Sequence, residues 1–399
     1  MNTLKSTLQA TLALLLLVTM GNALAQADDY DQVFDVSEGG MLTINSDSGP
    51  IEVSTWDRDE VRVRIRNADD FDVSLEQVGN DVVVVAESER RGIFGFVRSN
   101  IRFDVNVPNV FDLDLGTGGG AIEVGALTGD VRVDTSGGAI TIGRVTGNVL
   151  ADTSGGRIEI DDVDGDVTAD TSGGRITIGN VTGDASADTS GGHIEIGDVG
   201  GDMVANTSGG NITVGQGSGR VELDTSGGTI RAGWAVGEIV ADTSGGNIYL
   251  AGSETRVEAD TSGGNIEIAR SGGEVVADTS GGSITIRQAI GPIRADTAGG
   301  RIDAELASFA GSRNASVELE TAGGDVTIRI PSDLGATIVA DLEVSRRARR
   351  DYRIYTDFPL TINENDDGDI IGRGDINGGG DRIYLETTNS DIHIVSVGN

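Results

Sequence analysis

Residues 166–183 read DVTADTSGGRITIGNVTG, and nearly the same 18 residues recur before and after them. The pentapeptide Asp-Thr-Ser-Gly-Gly starts at Asp134, Asp152, Asp170, Asp188, Asp224, Asp242, Asp260 and Asp278, with near-copies opening at Asn206 and Asp296 in the same 18-residue register. A fixed period of about 20 residues marks a solenoid, in which each unit buries its apolar face only against its neighbours. Within the unit Val167, Ala169 and Thr171 alternate with Thr168, Asp170 and Ser172, and after Gly173-Gly174 the apolar residues resume at Ile176, Ile178 and Val181. Alternation with period two, broken by glycine, predicts two short strands and two tight turns per coil. The expected fold is all-β: a single-stranded parallel β-helix of 18-residue coils with irregular terminal caps.

Equivalent positions in successive coils indicate which side faces in. Val131, Val149, Val167, Ala185, Met203, Val221, Ile239, Val257, Val275 and Ile293 form one apolar column, and Ile140, Ile158, Ile176, Ile194, Ile212, Ile230, Ile248, Ile266 and Ile284 form the opposing one. The intervening positions vary among Arg, Thr, Glu, Ser and Val, as on a solvated face. Thr135 and its equivalents share the inward parity, which predicts hydroxyls bonding to one another up the stack. The glycine pair is read as supplying positive φ at the corner, so Gly209→Val should harm the rod more than a change at Thr177. At about 4.8 Å per coil, the ten regular coils give a segment about 48 Å long.

The pattern loosens at both ends. Gly116-Thr117-Gly118-Gly119 lies 18 residues before the Asp134 repeat, while Glu320-Thr321-Ala322-Gly323-Gly324 lies 24 after Asp296 and implies a six-residue insertion around 308–314. Distant relatives of the corner occur at Asn45-Ser46-Asp47-Ser48-Gly49 and Thr387-Thr388-Asn389-Ser390-Asp391. The division expected is a regular solenoid over 113–330, an N-terminal β cap over 26–112 and a closing C-terminal β segment over 331–399. Irregular ends of this kind cover the strand edges that a solenoid otherwise exposes.

Residues 1–25 have the form of a secretory signal, with Lys5, an apolar run from Leu12 to Val18, and small residues at Ala23 and Ala25. Export is expected, to the periplasm first, with the cell surface or exterior as alternatives. No later segment has the length of apolar sequence needed to span a bilayer as a helix. The chain has no cysteine, so disulfides and thiol chemistry are excluded. Its formal charge is −35, and one unit more negative once Lys5 is removed. Such a surface repels nucleic acid and anionic headgroups, which leaves cations, the basic surface of an envelope protein or a neutral glycan as partners. No cofactor motif is present.

The stretches FDVSEGGMLTINSDSGPIEV near the start, Val105-Asn106-Val107-Pro108 leading into the repeats, and GGGDRIYLETTNSDIHI near the end resemble the bacterial β-strand-repeat family called domain of unknown function 4097, the putative adhesins. That resemblance spans nearly all of residues 34–394. It implies a right-handed, single-stranded β-helix, an exported location and no established activity, the adhesin label being an inference from architecture.

The candidate sites are weighed against structural readings. Carboxylates recur at Asp134, Asp152, Asp170, Asp188, Asp224, Asp242, Asp260, Asp278 and Asp296. Neighbours about 5 Å apart repel by about 0.8 kcal/mol at the dielectric of water and roughly four times that at an effective value of 20. One reading has each Asp capping the Ser and Gly amides of its own corner, as an Asx turn does. The other makes the column a surface that gathers cations or a basic partner. A calcium roll is disfavoured, because the residue two after each glycine pair is Ile, as at Ile176, where the GGxGxDxUx motif needs Gly. His193 and His393 have no partner set that spacing reveals. The cluster Asp161-Asp162-Val163-Asp164 is read as a solvated turn rather than acid–base machinery. The insertion at 308–314 is where a carbohydrate-active enzyme, the alternative reading, would build a groove. Two further candidates lie off the repeats: the arginines Arg346, Arg347, Arg349, Arg350 and Arg353, read as a solvated hairpin or a lid paired to rod carboxylates, or else as a grip on lipopolysaccharide phosphates or an acidic protein face, and the apolar loop 91–97, read as a lid over the first coil.

Overall fold

The computed structural model describes residues 30–89, 100–307, 315–345, 351–366 and 368–398. Every regular element among them is a strand, and no helix is long and apolar enough to cross a membrane. In the repeats, strands such as Val131–Thr135, Val149–Thr153 and Val167–Thr171 pair in parallel with the equivalent residue of the next coil. Ile140–Ile142, Ile158–Ile160 and Ile176–Ile178 form a second parallel stack on the opposite side. Between them, the predicted Val, Ala and Ile columns are buried as one continuous core.

The early coils carry a third segment that the two-strand reading missed. Leu127–Thr128, Val145–Thr146 and Val163–Asp164 pair in parallel and bury Leu127, Val145 and Val163. Bridges continue this stack from Val163 through Val181 and Val199 to Gly217 and Ala235. As the inward residue shrinks from Val to Gly, Ala or Ser, the third segment joins the second strand, giving longer strands at Ile230–Ala235, Ile248–Ser253, Ile266–Ser271 and Ile284–Ala289.

The corner works differently from the sequence-based expectation. The buried threonine hydroxyls do not bond to one another. Thr135 donates to the carbonyl of Gly120 in the preceding coil at 2.8 Å and accepts from the amide of Gly138 at 3.4 Å. The pattern repeats coil after coil: Thr225 donates to Gly210 and accepts from Gly228, and Thr279 donates to Gly264 and accepts from Gly282. Each clasp satisfies a carbonyl and an amide that the strand ladders leave over. The paired glycines are also absent from the residues with positive φ. What demands glycine is close approach. A Cβ on Gly210 would lie 1.7 Å from the Gly192 carbonyl oxygen, whereas one on Gly209 would meet nothing nearer than 3.8 Å.

Both ends are built out of sequence order. In the first stack Gly40–Ser46 lies between Asp81–Ser88 and Phe111–Thr117, parallel to both. In the second, Ile51–Trp56 lies between Arg102–Pro108 and Ile122–Val124. The first coil of the chain is therefore held beneath a later one. At the other end, Asp381–Thr388 lies between Val317–Thr321 and Ala336–Glu343, and Ile392–Val397 between Val326–Pro331 and Ile354–Thr356. Antiparallel strands then cover the outermost coils: Phe71–Val78 and Glu60–Arg66 at one end, Ile370–Ile376 at the other. Phe103 and Phe111 are fully buried in the N-terminal end. The corner relatives noted above sit in register, with Ser46 opposite Thr117 and Thr387 opposite Thr321. Asp296 pairs with Glu320, so the six extra residues leave the register undisturbed. Residues 1–29, 91–97 and 308–314, on which three expectations fell, lie outside the described residues.

The glycine geometry makes a test that separates the two members of the pair. Gly210→Ala is expected to destabilise the rod by more than about 3 kcal/mol, because backbone of two coils must move apart, while Gly209→Ala stays within about 0.5 kcal/mol. Thermal melts of the two variants check this, and equal losses would contradict it.

Candidate functional site

The nine candidate aspartates lie in one line. Asp134 pairs with Asp152, and register is kept through Asp170, Asp188, Asn206, Asp224, Asp242, Asp260, Asp278 and Asp296. The line then continues through acidic residues beyond the aspartates of the pentapeptide. Asp296 stands beside Glu320, Glu320 beside Glu386, and Glu386 beside Asp341. Part of it borders a shallow open groove floored by threonine and edged by serine, from Asp152 to Asp224.

These carboxylates do not cap their own corner. Among the described residues, none of Asp134, Asp152, Asp170, Asp188, Asp224, Asp242, Asp260, Asp278 and Asp296 has a side-chain hydrogen bond or ion pair, so the Asx-turn reading is corrected. Amide capping belongs to other columns. Asp130 accepts from the Asn148 amide at 2.8 Å, Asn148 from Asp166, Asp166 from Asp184, and Asp184 from Asp202. Asp162 accepts from the Asn180 amide at 2.9 Å, and His193 Nδ1 accepts from the Asn211 amide at 2.8 Å. The serine amide that such a cap would engage donates instead to the threonine carbonyl of the preceding coil, as Ser136 does to Thr117 and Ser154 to Thr135.

An unpartnered ladder has an electrostatic cost. Burial, with repulsion from the aspartates in the coils on either side, holds Asp170, Asp242 and Asp278 above the usual carboxylate range. Burial likewise raises Glu320 and Asp341, helped by the neighbouring acids, Glu386 among them. At that end the Tyr384 hydroxyl donates to Glu386, and burial with this bond pushes its pKa up. By contrast, Asp162 is held low, first by the Asn180 amide and then by its hydrogen bonds with Arg144 and the Asn180 side chain.

The remaining candidates are dispersed. Among the described residues no group of three or more acidic or histidine side chains could hold a metal ion. His393 stacks on Tyr355 with ring centroids 4.9 Å apart, far along the chain from His193. Arg353 is exposed, and its amide donates to Asp391 at 2.9 Å. Arg346, Arg347, Arg349 and Arg350 lie outside the described residues.

No family model matches the chain, and no curated protein matches it. Solved structures that it resembles include two adhesin-like proteins. A putative cell adhesion protein from Clostridium sporogenes is 6% identical, covering 93% of this chain and 100% of that one at a TM-score of 0.18. A putative adhesin from Bacteroides fragilis is 13% identical, covering 76% and 97% at a TM-score of 0.19. Scores this low carry no argument about fold or role.

The ladder predicts an unusual pH response. A carboxylate whose pKa is raised by folding opposes folding when ionised. The penalty is absent below the unfolded value near 4 and complete above the raised folded value. Melting temperature should therefore rise as pH falls through the raised values toward about 4, and reverse only when carboxylates held low, such as Asp31 beside Arg62 and Asp162, begin to protonate. Asp242→Asn, which copies the Asn206 already in the line, should stabilise the protein at pH 7 by up to about 1 kcal/mol after allowance for screening. A melting temperature that falls monotonically below pH 7 would show that repulsion along the line is negligible.

Proposed function

We propose that the chain is an exported, non-enzymatic β-solenoid that serves as a structural and adhesion module at the bacterial cell envelope. The regular rod would be 113–330, with 26–112 and 331–399 as its caps, in keeping with the resemblance to domain of unknown function 4097. The observation that carries this reading is the carboxylate line, which runs in one register from Asp134 to Asp341. Its groups are laid out along the rod rather than converging, as suits many weak contacts acting together. Residues 1–25 supply the route out of the cytoplasm.

A second form of the same reading follows from the line's charge. Cations gathered along it would relieve its repulsion and bridge the rod to another acidic surface, making adhesion cation-dependent.

Fractionation of native cells, with retention of the purified mature chain on isolated envelopes, tests the proposal. Retention, with residues 1–25 removed in the cell, is the expected result. An uncleaved chain confined to the cytosol, or release of sugars from envelope glycans, would overturn it. Millimolar calcium should raise the melting temperature if cations act at the line, and an unchanged melt disposes of that form.

A further inference from the structure

On the other side of the rod, the second stack carries an aromatic and basic patch. Trp234 pairs with Gly252, and Gly252 with Arg270, so the three share one column across successive coils. Gly252 has φ +123°, and a Cβ there would collide with the Arg270 carbonyl at 1.7 Å before meeting the Trp234 indole at 3.1 Å, so the ring lies close over this glycine. The Arg270 guanidinium lies 5.5 Å from the Trp234 ring centroid. Three positions earlier on the same strands Arg231 pairs with Tyr249, its guanidinium 4.9 Å from the phenol ring centroid. The exposed Arg287 follows in the coil after Arg270. The chain has only 2 Trp and 5 Tyr, so two part-exposed aromatic rings in adjacent coils form a local concentration.

The bonding of these groups points to a ligand. Many arginines elsewhere on the rod are ion-paired, as Arg144 is with Asp162 and Arg294 with Glu318. Among the described residues Arg231, Arg270 and Arg287 have no carboxylate partner, and Trp234 Nε1 and the Tyr249 hydroxyl have no hydrogen-bond partner. A guanidinium stacked on a ring keeps its in-plane N–H donors pointing outward, where they match a carboxylate bidentately. The part of each ring that its arginine leaves uncovered is electron-rich and receives the weakly positive C–H face of a pyranose. The two aromatic positions, three residues apart in register, lie on either side of the bend where the third segment joins the second, at most roughly 10 Å from each other, which suits an extended chain more than a single small molecule. Glu267, in register with Tyr249, limits the patch on that side.

We infer that the face formed by Arg231, Trp234, Tyr249, Arg270 and Arg287 binds a carboxylate-bearing polysaccharide, rings on the sugar faces and guanidiniums on the carboxylates. The inference rests on the adhesion reading and supplies its ligand class. Long-range repulsion from the aspartate line is screened within about 8 Å at physiological ionic strength.

Titration calorimetry of the mature chain tests it with three probes: polygalacturonate, neutral dextran and poly-glutamate. Polygalacturonate should bind, and the other two should bind at least about fivefold more weakly. Trp234→Ala and the double variant Arg231→Gln with Arg270→Gln should each weaken polygalacturonate binding at least about fivefold. Trp234→Phe should restore part of the loss, and unchanged melts confirm that all variants fold. No binding of polygalacturonate, equal binding of poly-glutamate, or variants that bind as tightly as the parent would each overturn the assignment. Envelope retention without polygalacturonate binding overturns this inference alone, whereas loss of both removes the adhesion reading with it.

Discussion

The threonine hydroxyl between two glycines holds the rod together at its tightest point. A parallel stack satisfies the amides and carbonyls within its strands, but each turn leaves groups over, and a narrow coil has no room for water to serve them. Thr135 and its equivalents serve a carbonyl of the coil before and an amide of their own with one buried oxygen. The second glycine allows the coils to approach closely enough for that bond, since a Cβ on Gly210 would collide with Gly192. The alternation that buries Val, Ala and Ile on either side then follows from the register which the clasp keeps.

The aspartate before each threonine takes no part in this clasp. Caps at the other turns are supplied by Asp130, Asp162, His193 and their neighbours, so the corner aspartates owe nothing to local structure. They are nonetheless present in nearly every coil, with burial and mutual repulsion raising Asp170, Asp242 and Asp278. A surface that costs stability and has no structural task is best understood through what it meets. The rod thus presents two unlike sides, a single-sign acidic line on one stack and an aromatic patch with unpaired arginines on the other.

Much of this was legible in the sequence because a parallel, in-register stack makes each residue its own neighbour one period later. The Val and Ile columns and the straightness of the aspartate line follow from that alone. What the period hides is anything that departs from it. The third segment was missed because its inward residue, apolar at Val145, Val163 and Val181, stands alone in each coil and does not by itself read as a strand. The extension of the line through Glu386 and Asp341 was invisible because those residues are adjacent in space and out of order in the chain. The clasp needs coil-to-coil distances that no pattern contains. The aromatic patch was readable in principle: written in rows of 18, the sequence puts Trp234, Gly252 and Arg270 in one column.

The interleaved ends confine change in length to the middle of the rod. A coil cannot be added beyond residue 397 or before residue 40, because those segments are each already clamped between two others. An 18-residue duplication within 131–300, by contrast, reproduces every column, clasp and capping residue and leaves both closures intact. Slippage between near-identical repeats in the gene would therefore lengthen or shorten the protein in steps of about 4.8 Å. Reach becomes a quantity that selection can adjust while the folded ends stay the same.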